Sequence, residues 1–114
     1  MAGFEEFKKR FEELYNNALS RLPELQGWNK TYQIILEDDG KFYVSIKNGR
    51  LEVAEGEHPS PIATLQATSE VLSQILSGEL DAMKAFMMRK IKITGNVLDT
   101  INLKKLIDAG LGKE

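Results

Sequence analysis

Two neighbouring aspartates, a single histidine and a run of methionines are the residues of this sequence whose types and spacing raise a question of chemistry. Asp38 and Asp39 could form a carboxylate pair for acid–base work. They stand, however, in "DDG" between two alternating stretches, where turn preference accounts for them better. His58, the one histidine, lies in the turn-like "GEHPSP", and one histidine does not make a zinc site unaided. Cysteine is absent, which removes disulfides, thiol nucleophiles and Cys-based metal centres together. No Ser-His-Asp set and no phosphate-cradling glycine loop stands in the chain. No metal or cofactor is expected, and catalysis by a buried Asp or Tyr, which needs no linear motif, stays open as a minor alternative.

The methionines carry a stronger signal. "GELDAMKAFMMRKIKITGN", residues 78–96, holds three of the four methionines and a phenylalanine between two glycines. On a helix Met83, Phe86 and Met87 share one stripe, and Met88 projects away by roughly 100°. Methionine fills irregular gaps and tolerates varied partners, so the stripe reads either as core or as the wall of an adaptable apolar pocket.

The elements that would position these residues follow from periodicity. Phe4, Phe7, Phe11, Leu14, Tyr15, Ala18 and Leu22 recur at spacings of three and four, predicting a long helix over 4–22 that Pro23 and Gly27 end. From Lys30 the period becomes two. Tyr32, Ile34 and Leu36, then Phe42, Val44 and Ile46, then Leu51 and Val53 alternate with polar residues, joined by "DDG" and "NG" turns. That is an antiparallel meander with one apolar face. Trp28, beside Gly27, reads as an anchor against the core. After the loop "EGEHPSP", residues 62–68 suit a fourth strand. Ser69 is expected to cap a helix bearing Val71, Leu72, Ile75 and Leu76, and a short helix spans Leu80 to Met88. "KIKIT" is a fifth strand, and beyond Gly95 a last helix presents Val97, Ile101, Leu106 and Ile107. Several apolar helices compete for one sheet face, because Lys41, Ser45, Lys47, Lys90 and Lys92 mark the other as wet. Helices crowded there can leave a gap.

Composition bounds the rest. The 114 residues suit a single domain spanning 1–114, with its core over about 4–110. A hydrophobic share of 42%, a charged share of 28% and a net charge of −2 are ordinary, and no basic block argues for nucleic acid. No apolar run approaches the roughly 20 residues that span a bilayer, so at most transient membrane contact is expected. "MAGFEEFKKRF" mixes charges where a signal peptide would not, and "GLGKE" carries no peroxisomal tripeptide. A cytoplasmic protein, monomeric or homodimeric, is the expectation.

The run "LSGELDAMKAFMMRKIKITGNVLDTINLKKLI" resembles the sterol carrier protein type 2 family of lipid-binding domains. The matching positions are Leu76 to Gly78, Met83, Met87, Lys90, Ile91, Ile93, Gly95 and Asn96. Upstream, "DDGKFYVSIKNGRLEVAEGE" resembles the family's hairpins, with Phe42 where an aromatic is usual. The resemblance covers residues 4 to 110 and contains no catalytic motif. It implies an α+β fold, a five-stranded mixed sheet with helices over one face, and an apolar tunnel that holds a fatty acid, fatty acyl-CoA, sterol or similar lipid without covalent chemistry. Carried over by position, Val44, Ile46, Ile75, Met83, Phe86, Met87, Ile93, Val97, Ile101, Leu103, Leu106 and Ile107 would line that tunnel, and the last helix would gate it. Two departures stand out. Arg89 occupies a position where glycine is common, and Lys104 one where a neutral polar residue is common. Either is a candidate contact for a lipid headgroup at the mouth. Rival readings are a dimerisation or protein-interaction module with a filled pocket, and an enzyme acting on a hydrophobic substrate.

Overall fold

The computed structural model describes residues 3–113. The first two residues and the last, which belong to the segments read above for targeting signals, lie outside it. Helix α1 (Phe4–Ala18) buries Phe7, Phe11, Leu14, Tyr15 and Ala18 along one stripe. It stops short of Leu22, because Pro23 disfavours helical geometry in the residue before it and Leu22 swings out of the helix. Pro23 instead opens a 3-10 turn, Pro23–Gly27, that plugs Leu25 into the core. Trp28 follows, buried, with the Lys30 ammonium 5.6 Å over its ring.

Strands β1 (Asn29–Leu36), β2 (Gly40–Lys47) and β3 (Arg50–Glu55) form the expected meander. Asn48 and Gly49 both take positive φ at the second hairpin, as a primed two-residue turn requires. β4 (Ala63–Ala67) then pairs with β1 in parallel, and β5 (Lys92–Gly95) with β4 antiparallel, so the sheet is mixed with order β3-β2-β1-β4-β5. Between β4 and β5 run α2 (Ser69–Ser77) and α3 (Ala82–Met87), and α4 (Thr100–Leu111) closes the chain. Thr68 rather than Ser69 caps α2, accepting from the Val71 amide at 3.2 Å. Ser69 is turned over to Asp38, whose Oδ1 accepts from its amide at 2.9 Å and its hydroxyl at 3.2 Å. Asp38 therefore ties the first hairpin to a helix N-terminus, a structural task, and those bonds hold its carboxyl below the usual range.

The register places Tyr32, Val44 and Val53, and Ile34, Phe42 and Leu65, side by side on one face. Opposite them the sheet is less wet than its composition suggests. Thr31, Gln33 and Ser45 are buried because the loop from Gly56 folds over them. Gln33 Nε2 donates to the Phe42 and Gly56 carbonyls, both at 2.9 Å, and its Oε1 accepts from the His58 amide at 2.7 Å. The His58 ring meets Tyr43 edge-on at 5.1 Å. His58 secures a loop, and no cluster of three potential metal ligands exists among the described residues.

The apolar face divides into two halves of different character. Over β2 and β3, α1 and the 3-10 turn pack solidly: Phe42 takes the rings of Phe4, Phe7 and Phe11 at 5.7, 5.9 and 6.2 Å. Val44 and Ile46, expected among the lining residues, lie wholly buried in this half and do not border the cavity described below. Leu106 is also core. It stands one turn before Gly110 on the α4 face that meets α1, where a Cβ at Gly110 would lie 2.5 Å from the Leu14 carbonyl oxygen.

Candidate functional site

Over β1, β4 and β5 the packing is open. A cavity of about 240 Å³ lies between Ile34, Leu65, Ala67 and Ile93 on the sheet and the three C-terminal helices above. Phe11 forms one end. α2 contributes Leu72 and Ile75; α3 contributes Ala82, Met83 and Phe86; Ile91 precedes β5; Val97, Leu98, Thr100, Ile101, Leu103, Lys104 and Ile107 come from α4 and the turn leading into it. The volume exceeds the roughly 150 Å³ in which an apolar cavity takes up benzene. It falls just under the roughly 300–1,000 Å³ usual for drug-sized ligands.

The wall is hydrocarbon with two polar exceptions, and both are already bonded. The Thr100 hydroxyl donates to the Val97 carbonyl at 2.6 Å. The Lys104 ammonium lies 2.5 Å from Asp108 Oδ2 and 3.3 Å from Asp81 Oδ1. Its hydrogen bond to Asp108, which outweighs burial, raises its pKa. Asp81 is the N-cap of α3, accepting from the Lys84 amide at 3.1 Å. Lys104 thus fastens α4 to α3. Its charge is answered twice, so it is poorly disposed to receive an anionic headgroup.

Of the residues expected to line a tunnel, Ile75, Met83, Phe86, Ile93, Val97, Ile101, Leu103 and Ile107 are brought together at this cavity. Met87 is not: although it shares a helical stripe with Met83, it points outward, 73% exposed. Arg89 lies outside it as well. It takes φ +62° at the end of α3, where the Arg89 amide bonds the Phe86 carbonyl and the Lys90 amide the Ala85 carbonyl. This paired motif favours glycine, which enters the left-handed region without a Cβ penalty. The turn is therefore made in spite of the arginine. Phe11, Ile34, Leu65, Ala67, Leu72 and Ala82 were not among the expected lining residues. Ile34 and Leu65 face the same side as Ile93 by strand alternation, a signal that could have found them; Phe11 and Ala67 depend on how far each helix stands from the sheet.

A polar cluster fixes the near edge of the cavity. α4 begins only at Thr100, so Val97 to Asp99 form a turn rather than the helix's first residues. Asp99 anchors that turn to β1. Its carboxylate accepts from the Tyr32 hydroxyl at 2.5 Å and from Lys30 Nζ at 2.7 Å. Burial alone would raise the Asp99 pKa, but these bonds outweigh it and hold the carboxyl below its ordinary value. Burial, reinforced by Asp99, drives the Tyr32 phenol far upward. A carboxyl whose pKa is lower in the folded chain takes up its proton less readily there than in the unfolded chain, so acid favours unfolding. Its stabilisation is complete above the ordinary value near about pH 4 and is lost as pH falls from there through the lower folded value. A phenol raised on folding acts in the opposite sense, its contribution fading as pH climbs past about 10. Tyr32→Phe is expected to lower stability by about 1–2 kcal/mol at neutral pH. It should also flatten the acid and alkaline limbs of a denaturation-against-pH curve; unchanged limbs would show that the cluster does not hold the turn.

Comparison with known proteins agrees with this architecture. Residues 7–108 match the model of the SCP-2 sterol transfer family. Hydroxysteroid dehydrogenase-like protein 2 of Rattus norvegicus is 33% identical over 78 residues, 67% of this chain, but the chain spans only 15% of that protein's length. Sterol carrier protein 2 from Yarrowia lipolytica, in its apo form, superposes with a TM-score of 0.70 at 17% identity, covering 99% of this chain and 97% of that one. The Aedes aegypti sterol carrier protein-2, solved in complex with palmitate, does so with a TM-score of 0.63 at 19% identity, covering 88% and 96%. At these identities the structures share a fold, and it is the family match across nearly the whole chain that decides membership: this chain belongs to the SCP-2 sterol transfer family.

Proposed function

We propose that the protein binds one long apolar molecule, an acyl chain in the first instance, in the cavity between β4, β5 and the C-terminal helices. The observation that carries this reading is the cavity wall: hydrocarbon throughout, with its only polar side chains, Thr100 and Lys104, already committed to other partners. Such a wall rewards transfer of apolar surface from water at roughly 25 cal/mol per Å². It offers nothing to a buried charge, whose desolvation would go unanswered. A fatty acid would therefore enter tail first and leave its carboxylate outside. The palmitate held by the mosquito protein of the same fold supports that ligand class. An open cavity weighs against the reading as an interaction module whose pocket is filled by side chains.

The modest volume has a consequence. A long chain overfills about 240 Å³, so uptake requires the wall to yield, and the turn at Val97–Asp99 is fastened to β1 through the Tyr32 and Lys30 side chains. Titration with fatty acids of increasing length, followed by native mass spectrometry, is expected to show one molecule per protein. Affinity should rise with each methylene by up to about fourfold (about 0.8 kcal/mol) until the cavity is full. No adduct at any chain length would contradict the proposal.

A further inference from the structure

The only sulfur in this chain is thioether sulfur, because cysteine is absent and methionine occurs four times. Met83, Met87 and Met88 lie in α3 or at its C-cap and are 42%, 73% and 58% exposed. Methionine is ordinarily a buried residue, so three of them at the surface within one short helix call for a reason. Met83 differs from the other two in bordering the cavity, which neither Met87 nor Met88 does. Its side chain therefore meets water on one side and the hydrocarbon wall on the other. The polar side chains of that wall, Thr100 and Lys104, already have partners.

We propose that Met83 is a reversible oxidation site that controls occupancy of the cavity: as a thioether it is wall for an acyl chain, and as a sulfoxide it turns the chain away. This rests on the reading of the cavity as an acyl-chain site. Hydrogen peroxide supplies the oxygen. The sulfur lone pair attacks one peroxide oxygen, the O–O bond breaks and an S–O bond forms. The proton on the transferred oxygen passes to the departing hydroxide, which leaves as water. Sulfur loses two electrons and the peroxide gains them, and the product is polar where the reactant was apolar. In the empty protein the new oxygen is hydrated at the exposed side of Met83. A bound chain would strip that water, and the wall has no free donor to replace it, so binding would bury an unpartnered polar group. Coupling between two such events is reciprocal. A chain already seated against Met83 covers the thioether and slows its oxidation.

Palmitate affinity measured before and after treatment with hydrogen peroxide tests this, with each sulfoxide located by peptide mass spectrometry and the fold followed by circular dichroism. Affinity should fall by about tenfold as Met83 is converted, with the fold unchanged, and return on treatment with a methionine sulfoxide reductase. Palmitate present during the treatment should slow oxidation of Met83 in proportion to the sites filled and leave Met87 and Met88 at their own rates. Met83→Leu should have the same affinity before and after peroxide, whatever its starting value. Met87→Leu with Met88→Leu should keep the full loss, since neither residue borders the cavity. Undiminished affinity with Met83 fully oxidised, no protection by palmitate, an equal loss in Met83→Leu, or a loss that accompanies unfolding would each overturn the proposal. Untreated protein that takes up no palmitate would bring it down together with the cavity reading, whereas normal uptake that peroxide leaves untouched would overturn the sulfur switch alone.

Discussion

Ala67→Phe is expected to abolish fatty acid uptake while leaving the fold intact. Ala67 ends β4, is 6% exposed, and contributes its methyl to the cavity floor. A phenyl ring there would project into the space an acyl chain would occupy. Affinity should fall by roughly a hundredfold or more, about 2.8 kcal/mol, because most methylenes would lose their place in the wall. The accompanying change in stability identifies the cause. Overpacking a filled core destabilises by about 1–3 kcal/mol, whereas a ring entering empty space adds contacts and stabilises by up to about 2 kcal/mol. Uptake lost with the melting temperature held or raised is the expected pair of results. Unaltered binding by A67F would place the ligand elsewhere.

The second large effect lies at the contact between α1 and α4. Gly110 is the penultimate residue of α4, where alanine would ordinarily gain up to about 1 kcal/mol of helix propensity. Here a Cβ would stand 2.5 Å from the Leu14 carbonyl oxygen and 2.8 Å from its Cα and Cβ. Both helices present backbone at that point, so neither can give way by rotating a side chain. Gly110→Ala should push α4 off α1 and cost about 2–4 kcal/mol, strain outweighing propensity. In a domain of this size that lowers the melting temperature by roughly 4 °C per kcal/mol. α4 also roofs the cavity, so the affinity for an acyl chain should change with stability. A G110A protein as stable as the parent would mean that the two helices are not in backbone contact.

The sheet was legible because its signals are local. Period-two alternation, "DDG" and "NG" place the first three strands, and the order of the later elements follows from "KIKIT" and the apolar stripes beside it. Helix ends were less legible where a proline or a competing side chain decides them: Pro23 draws the chain out of α1 early, and Asn96 and Asp99 hold a turn where α4 was expected to have begun. The cavity lining was half legible. Facing direction singled out Ile75, Ile93 and Ile107, but direction does not tell a residue that meets a gap from one that meets a neighbour. Val44 and Ile46 face the same side of the sheet as Ile93, yet α1 brings Phe7 and Phe11 down over their half. That difference is set by helix placement across the whole fold, which no short stretch of sequence encodes. Lys104 shows the same limit, since its two acidic partners are Asp108, one turn along α4, and Asp81 on another element.

The most direct test of the account is to follow isoleucine, leucine and valine methyl signals by NMR while palmitate is titrated into the protein. Saturable shifts at Ile75, Leu103 and Ile107, at one equivalent, with Val44 and Ile46 unmoved, are the predicted result. Shifts spread over Val44 and Ile46, or no saturable shift at all, would contradict a ligand site between β4, β5 and the C-terminal helices.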